Sequence, residues 1–160
     1  MESTAVACFV SSPVGYLHVT ASAVGIRTVH FSANRPEPTA SNEHVEQCIR
    51  QLDEYFNGQR KVFDLSLDLV GTSFQVKVWK ELMNIPFGKT ISYLELAKRL
   101  GDEKVIRAAA SANGSNPVAI LVPCHRVIGS NGDLVGYAGG LHRKKWLLEF
   151  EAGAVQGTLF

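Results

Sequence analysis

The chain has 160 residues, 46% of them hydrophobic and 19% charged, which is typical of one or two small globular domains. No apolar run is long enough to cross a bilayer, and the first residues lack the pattern of a secretory signal, so we expect a cytoplasmic protein that has no membrane contact. The three cysteines are scattered along the chain, and they predict neither a disulfide framework nor a Cys-x-x-Cys metal site.

Charge is distributed unevenly between the two halves of the chain. The net charge is +1, but there are 5 Lys and Arg against 8 Asp and Glu up to Gly71, and 11 against 7 from Thr72 onward. A nucleic acid would therefore meet the C-terminal half. An ordinary solvated surface explains this mild asymmetry about equally well.

The N-terminal half begins with three apolar or alternating segments, at residues 5–11, 16–21 and 25–31. Turn-forming residues separate these segments, which predicts an antiparallel meander. A loop around residues 34–38 follows.

A helix is predicted after this loop. Ser41 or Asn42 would cap it, and it would run to about Phe56. Its predicted apolar face consists of Val45, Cys48, Ile49, Leu52 and Phe56. Cys48 is therefore expected to be buried. The alternating apolar residues at 63–69 predict a connecting strand.

The C-terminal half predicts a series of helices. Ser73 can cap the first, which continues through Met83. Its apolar residues are Val76, Trp79, Leu82 and Met83. The last helix spans 141–151, with Trp146, Leu147 and Phe150 as its apolar contacts. The tail up to residue 160 is expected to be loose.

Two short helices between these match the helix-turn-helix pattern. Ser92 caps the first, over residues 93–100, which Gly101 stops, and the second spans 103–112. After Arg107 the second helix carries almost only alanine. Close packing against a neighbour and a fit into a narrow space explain such a helix about equally well.

An apolar segment at 117–128 is interrupted by Pro-Cys-His-Arg at 123–126, and a glycine-rich loop follows at 129–140. A lone cysteine in an apolar stretch is usually a small buried hydrophobe. Cys124 differs because a proline precedes it, a histidine and an arginine follow it, and Asn116 and the glycine loop bracket it.

Pro-Cys-His-Arg-Val at 123–127 resembles the active-site motif of the 6-O-alkylguanine-DNA alkyltransferases, also called methylated-DNA–protein-cysteine methyltransferases. Further segments occur in that family's order and spacing: Gly-Thr-Ser-Phe-Gln…Val-Trp (71–79), Ile-Pro-Phe-Gly-Lys-Thr-Ile-Ser-Tyr (85–93), Ile-Arg-Ala (106–108), Asn-Pro (116–117) and Gly-Tyr-Ala-Gly-Gly-Leu (136–141). The resemblance covers about residues 71–152 strongly, and the N-terminal third mainly through Ser-Pro-Val-Gly at 12–15.

The resemblance implies an α/β (α+β) fold. A small N-terminal domain of antiparallel sheet plus helix, residues 1–71, would pack on a helical C-terminal domain with a helix-turn-helix, residues 72–160. Some family members hold zinc in the N-terminal domain. Here Ser22 and Arg27 stand near where ligands would be expected, so we predict no metal.

The resemblance also implies DNA repair by direct reversal of damage. A methyl or larger alkyl group would move from oxygen 6 of guanine to Cys124, once and irreversibly, and no cofactor is implied. Activity on alkylated thymine stays open. Free cysteine has a pKa of about 8.5, so a neighbour must favour the thiolate. By resemblance, Glu151 orients His125, which acts on the thiol through a water molecule.

Two further residues take catalytic roles by resemblance. Tyr93 would give a proton or hydrogen bond to the departing guanine, and Asn116 would hold the loop carbonyls and the surroundings of the thiol. From the residues alone, a core tyrosine and a turn before proline explain these two. Without the resemblance, a solvated helix end explains Glu151 better than a catalytic role.

The implied partner is double-stranded DNA that carries alkylated guanine, bound through the minor groove, and the free protein is expected to be a monomer. Arg107 would fill the space of the flipped base, and the small side chains from Ala108 onward would fit a groove about 6 Å wide. Gln75 and Ser130 are expected to contact the DNA backbone or the lesion. Gly114 stands where some relatives have a basic residue, which weakens one DNA contact.

Two other classes of function fit part of the sequence. A cysteine hydrolase also uses Cys and His, but it turns over. A DNA-binding module without chemistry shares the helix-turn-helix, but such relatives lack the cysteine. The absence of a second cysteine-rich methyl-sensing domain argues against a transcriptional sensor.

Overall fold

A computed structural model of the protein describes residues 6–35 and 37–153. The predictions that fall on Ala5, on Pro36 and on the tail beyond residue 153 lie outside the described residues. None of the helices in this part of the chain combines the length and apolar character that crossing a bilayer requires.

Two compact units make up the described part of the chain. The first runs to Val70 and includes Pro117–Ala119, and the second comprises Gly71–Asn116 and the described residues from Ile120 onward. The domain boundary between Gly71 and Thr72 stays a proposal.

The first unit is built on a three-stranded antiparallel sheet. Its strands, in spatial order, are β1 Val6–Ser12, β2 Gly15–Ala21 and β3 Ile26–Ser32. This confirms the predicted meander. Alternate residues of β2, namely Leu17, Val19 and Ala21, are fully buried, as expected of a strand with one face on a core.

Helix α1, Glu43–Phe56, covers this sheet and begins at a side-chain cap. Asn42 Oδ1 accepts a hydrogen bond from the Val45 backbone N–H at 3.0 Å, so Asn42, rather than Ser41, is the cap. Cys48 is fully buried, as predicted. The rest of the predicted apolar face is buried too, except Ile49, which is half-buried.

Gln51 and Tyr55 of α1 are also buried, although they lie outside the predicted face. The Gln51 side chain bonds the backbone of Asp64 in both directions: Nε2 donates to the carbonyl at 3.0 Å, and Oε1 accepts from the N–H at 2.9 Å. A buried amide whose donor and acceptor are both satisfied carries little desolvation penalty.

The predicted connecting strand at 63–69 is wrong. Within the described residues this segment makes one β-bridge, a parallel pairing of Leu67 with Ile26. Gly25 permits the close approach, because a Cβ there would lie 2.5 Å from the Ser66 carbonyl oxygen. At Asp64, in the same segment, the backbone bonds the Gln51 side chain. No ladder of strand hydrogen bonds therefore extends along residues 63–69.

The described part of the second unit is mainly helical. Its α-helices are α2 Ser73–Leu82, α3 Tyr93–Arg99, α4 Ile106–Gly114 and α5 Leu141–Glu151. Two short strands, β4 Ile91–Ser92 and β5 Val127–Ile128, pair in parallel. Together with the sheet of the first unit, these helices confirm the predicted α+β class.

The predicted ends of α2 need correction. Thr72, not Ser73, is the cap, and it forms a capping box with Gln75: each side chain accepts a hydrogen bond from the other residue's backbone N–H. This reciprocal pair fixes the helix start. The helix ends at Leu82, one residue before the predicted end, and Met83 is 46% exposed.

Helices α3 and α4 contact each other and form the predicted helix-turn-helix. Ser92 caps α3 as predicted, its hydroxyl accepting from the Glu95 N–H at 3.0 Å. Gly101 follows with a φ of 104°, a conformation that suits glycine. The predicted helix at 103–112 is in fact a 3-10 turn, Glu103–Val105, followed by α4.

Candidate active site

Cys124 begins a 3-10 turn, Cys124–Arg126, that leads directly into β5. Its N–H donates to the Val122 carbonyl at 2.8 Å, and the residue is 7% exposed. The backbone before it is strained at Ile120, whose φ of 72° is rare for a β-branched residue. Successive side chains in such a turn diverge by about 120°, so neighbours in the motif reach different surroundings.

His125 and Glu151 meet in the interior. His125 Nε2 lies 2.8 Å from Glu151 Oε2, and both side chains are almost completely buried. An ionised carboxylate only accepts hydrogen bonds, so Nε2 carries the hydrogen. In the neutral ring Nδ1 therefore holds the lone pair, and it has no hydrogen-bond partner among the described residues. The helix end at Glu151 is thus not solvated.

Arg126 binds the same carboxylate and was not predicted as a site residue. Its Nε donates to Glu151 Oε1 at 2.8 Å and its Nη2 to Oε2 at 2.9 Å. Its Nη1 donates to the Ile85 carbonyl at 2.7 Å. This two-pronged geometry fixes the carboxylate plane. Its position inside the Pro-Cys-His-Arg motif could have indicated that Arg126 belongs to the site.

Burial, together with the charges in this cluster, sets the protonation of His125. Burial lowers the pKa of His125, the charges of Arg126 and Lys144 lower it further, and Glu151 opposes them. Burial alone would raise the pKa of Glu151, but His125 and Arg126 hold it well below its usual range. The site therefore contains a neutral imidazole beside an ionised carboxylate at neutral pH.

The Cys124 thiol keeps its proton in the free protein. Burial raises its pKa, while the Asn116 side chain, the charge of Lys144 and the backbone of Cys124 itself lower it. Asn116 also donates from Nδ2 to the Val122 carbonyl at 2.7 Å. Deprotonating this thiol requires a base, and the lone pair on His125 Nδ1 is suited to that task.

Tyr93, the first residue of α3, lies in the same region. Its Oη donates to the Val135 carbonyl of the glycine loop at 3.1 Å. Burial raises the pKa of the phenol, the Cys124 charge raises it further, and a hydrogen bond to Asn113 opposes both. The phenol therefore keeps its proton, which it donates to the Val135 carbonyl in this structure.

Sequence reasoning also missed Lys144 and Tyr137. Lys144 has no exposed surface, and burial raises the pKa of Tyr137 well above its usual range, with Cys124 and Glu151 adding to the shift. A signal for Lys144 existed: it lies seven residues before Glu151, so both fall on one face of α5. Leu147 between them is also fully buried.

Helix α4 carries two of the residues predicted to contact DNA. Arg107 and Ala108 are exposed on α4, and so is Ser111 one turn later, whereas Ala109 and Ala112 are buried. Close packing therefore explains the small side chains on one face of α4, while the fit into a narrow space stays a prediction for the other. One face packs against α2 and α3, and the opposite face is exposed and nearly bare.

Gln75 and Ser130 have no hydrogen bond to the thiol cluster among those found in the described residues. Gln75 belongs to the capping box of α2 and also donates from Nε2 to the Ser115 hydroxyl at 3.3 Å, beside the end of α4. Ser130 is exposed in the glycine loop.

The positions considered for zinc form a hydrogen-bonded cluster. Ser22 Oγ donates to Asp68 Oδ2 at 2.6 Å, and Arg27 Nε lies 3.5 Å from the same oxygen. An arginine is always protonated and cannot be a metal ligand. Among the described residues, no group of three or more His, Cys, Asp or Glu side chains is arranged to hold a metal ion.

Two family models match the chain: the 6-O-methylguanine DNA methyltransferase ribonuclease-like domain over residues 6–69 and the DNA binding domain over residues 73–153. A methylated-DNA–protein-cysteine methyltransferase of Methanosarcina acetivorans is 44% identical over 146 residues, which are 88% of this chain and 94% of that protein. These matches confirm the resemblance found in the sequence.

Solved structures agree with these matches. The crystal structure of Mycobacterium tuberculosis O6-methylguanine methyltransferase matches with a TM-score of 0.85 and 39% identity over 98% of both chains. That of Mycobacterium tuberculosis OGT in complex with DNA matches with a TM-score of 0.83 and 41% identity, over 92% of this chain and 93% of that one.

Proposed function

The chain belongs to the 6-O-methylguanine DNA methyltransferase family, and from that premise we propose how its residues divide the work of the reaction. Its function is the family's: it binds DNA and repairs it by transferring an alkyl group to one of its own cysteines. We propose that Cys124 is the acceptor and that oxygen 6 of guanine is the donor. The observation that carries this is the buried thiol beside His125, whose Nε2–H is committed to Glu151 at 2.8 Å.

The proton of the thiol would leave through His125. Nδ1 takes it by way of one water molecule, and Glu151 stabilises the imidazolium that forms. The resulting sulfur anion attacks the alkyl carbon, so a C–S bond forms as the C–O bond breaks. The bonding electron pair passes to guanine. Tyr93 gives the base a proton, and the imidazolium returns one to the phenolate, so the thiol proton is in effect transferred to guanine.

The product would be a thioether, which has no easy route to hydrolysis. This distinguishes it from the thioester of a cysteine hydrolase, which water cleaves. Each molecule would therefore act once, and no cofactor is needed because the protein itself is the acceptor.

The exposed face of α4 is our candidate for the DNA contact. Small side chains at Ala108 and Ser111 let a helix lie in the minor groove, about 6 Å wide. Arg107, at the start of this face, would occupy the space of the flipped base, and flipping costs a few kcal/mol that it offsets. Gln75 and Ser130 would contact the backbone or the lesion.

We propose that the free protein is a monomer and works in the cytoplasm. All three cysteines are free thiols, and a reducing compartment would keep the acceptor in that form.

The experiment that tests the function is a mass measurement. The protein is incubated under reducing conditions with duplex DNA carrying labelled O6-methylguanine, and peptides are then mapped. We expect one methyl group per molecule, located on Cys124. Label on another residue would refute the assignment of the acceptor, and repeated release of label would indicate a hydrolase.

A further inference from the structure

One buried acceptor near the thiol has no role in the proposed mechanism. Asn113 lies in the last turn of α4 and is 4% exposed. Its Oδ1 is buried and has no hydrogen-bond partner among the described residues. Leaving a buried carbonyl oxygen without a donor destabilises a folded protein, and most such oxygens are therefore paired. A hydrogen bond that forms only when the substrate is bound would explain the exception.

The amide nitrogen of Asn113 is already held by two atoms of the site. Nδ2 donates to the Cys124 carbonyl at 3.5 Å, and a side-chain hydrogen bond with Asn113 lowers the pKa of Tyr93. A hydrogen bond that lowers the pKa of a phenol is donated to its oxygen, so it also comes from Nδ2. Turning the amide over would bring Oδ1 against the Cys124 carbonyl oxygen, and two acceptors repel each other. The amide therefore has one orientation, in which Oδ1 is left to accept from a ligand.

An alkylated guanine supplies a donor for this oxygen. Alkylation of oxygen 6 removes the hydrogen from N1, so the exocyclic 2-amino group holds the only N–H bonds of the lesion base. The ring nitrogens N1 and N3 flank the carbon that bears this group, and either can take the proton of Tyr93 when the C–O bond breaks. A flipped base that turns this edge toward Tyr93 brings its amino group next to Asn113, because the Asn113 amide bonds the same phenol.

Alkylated thymine supplies no such donor. When oxygen 4 carries the alkyl group, N3 has lost its hydrogen, and the base has no N–H bond at all. Its binding would leave Oδ1 of Asn113 buried and still unpaired. A site whose buried polar group pairs with an N–H of the substrate discriminates strongly against analogues that lack it.

We propose that Asn113 is a specificity-determining residue: its Oδ1 accepts a hydrogen bond from the 2-amino group of the alkylated guanine, so that guanine lesions react faster than thymine lesions. This inference rests on the proposed function and adds the choice between the two bases. The hydrogen bonds from Nδ2 to Cys124 and Tyr93 fix the amide before the base arrives, so little ordering is needed when it binds.

A cycle of two proteins and two substrates tests this proposal. The proteins are the unchanged chain and Asn113→Leu, whose side chain has a similar size and no acceptor. The substrates are duplexes with labelled O6-methylguanine or labelled O6-methylhypoxanthine, which lacks the 2-amino group. In the unchanged protein, removing the amino group should slow single-turnover transfer about ten- to hundredfold. In Asn113→Leu it should slow transfer by no more than about twofold. Effects of the amino group on base pairing cancel, because both proteins meet the same duplexes.

Transfer from a duplex with labelled O4-methylthymine gives a second measurement. The ratio of the guanine rate to the thymine rate should fall at least about tenfold in Asn113→Leu, because only the guanine lesion loses a hydrogen bond. Asn84→Leu makes the same change at an exposed position just after α2. This matched control should leave every ratio within about twofold of its value in the unchanged protein.

Three outcomes would overturn the proposal: equal fold-losses from removing the amino group in the two proteins, no loss from removing it in the unchanged protein, or an unaltered ratio of guanine to thymine rates in Asn113→Leu. A purely structural role for Asn113 gives the first and the third, because it would slow all substrates by one factor.

Thermal unfolding of every variant is recorded, and rates are compared below all transitions. If Asn113→Leu does not fold, Asn113→Ala takes its place under the same three criteria. Failure of the unchanged protein to transfer a methyl group from any of these duplexes would instead refute the proposed function.

Discussion

His125 donates a hydrogen bond from Nε2 to Oε2 of Glu151 at 2.8 Å, across 26 positions of sequence. The same carboxylate receives Arg126 through both of its oxygens. The arginine neutralises Glu151 and holds it in plane, so the imidazole can stay neutral and keep a lone pair on Nδ1. The adjacent Cys124 thiol is buried, and burial raises its pKa; in the proposed mechanism this lone pair accepts its proton.

Replacing the proposed acceptor, Cys124, should affect methyl transfer without affecting DNA binding. Cys124→Ala is expected to abolish methyl transfer and to leave the affinity for duplex DNA within about twofold, because the side chain is buried and away from the exposed face of α4. Transfer is measured by retained label and affinity by a DNA titration. Cys8→Ala and Cys48→Ala are the controls and should both still accept one methyl group. Label retained by Cys124→Ala would exclude this thiol as the nucleophile.

Glu151→Gln should destabilise the protein strongly. Removing the charge leaves the buried guanidinium of Arg126 without its counter-ion, which costs about 3–5 kcal/mol in comparable pairs. The free energy of unfolding is measured by urea titration at pH 7.5. Glu149→Gln is the matched control, because its pair with Lys145 is exposed; it should change stability by less than about 0.5 kcal/mol. Similar losses in the two variants would show that burial of the first pair has no energetic consequence.

Stability should fall as the pH drops below about 6.5, because of His125. Burial lowers the pKa of this histidine from the ordinary value of 6.5, so below that pH the unfolded chain binds a proton that the folded chain does not. The contribution is present above pH 6.5 and is lost as the pH falls, with a slope of up to about 1.4 kcal/mol per pH unit.

Urea titrations between pH 7.5 and 5.5 test this expectation, and His125→Gln should flatten the profile. The pKa of His30 is lowered too, by burial and by His18, so both proteins are compared in a His30→Gln background. Parallel profiles with and without His125 would contradict a depressed pKa at this residue.

Arg107→Ala should affect repair of duplex DNA selectively. If Arg107 replaces the flipped base in the stack, its loss should slow transfer from duplex DNA about ten- to hundredfold and leave the reaction with free O6-methylguanine base unchanged. Single-turnover rates on both substrates are compared. Lys104→Ala removes an exposed positive charge just before the same helix and controls for the loss of charge. Equal losses on duplex and free base would count against the flipping role.

A bulky side chain on the bare face of α4 should block the groove. Ser111→Leu is expected to weaken binding to duplex DNA at least about tenfold, because a wider helix does not fit the minor groove. Stability and reaction with the free base should be unchanged, since Ser111 is exposed. Lys80→Leu adds the same side chain to an exposed position of α2 and serves as control. Unaltered affinity in Ser111→Leu would place the DNA elsewhere.

The meander, the order of the α-helices and the motif around Cys124 could be predicted from the sequence, because they depend on neighbours in the chain. The alternation of apolar and polar residues sets the faces of β2, and turn residues separate the strands. Asn42 and Ser92 cap their helices through hydrogen bonds to residues only three positions away. Where two adjacent residues could both cap a helix, as with Thr72 and Ser73, the predicted cap differed from the observed one by one residue.

The polar interior was decided only by tertiary structure. Gln51, Arg126 and Lys144 are hydrophilic by composition, yet they are buried because their partners arrive from distant segments: Asp64, Glu151 and the carbonyl of Val135. The same holds for 63–69, where alternation predicted a strand, but the segment pairs with β3 only at Ile26 and its Asp64 backbone bonds the Gln51 side chain. A residue's hydropathy is fixed by its type, whereas the free energy of burying it depends on which donor or acceptor the folded chain brings within 3 Å.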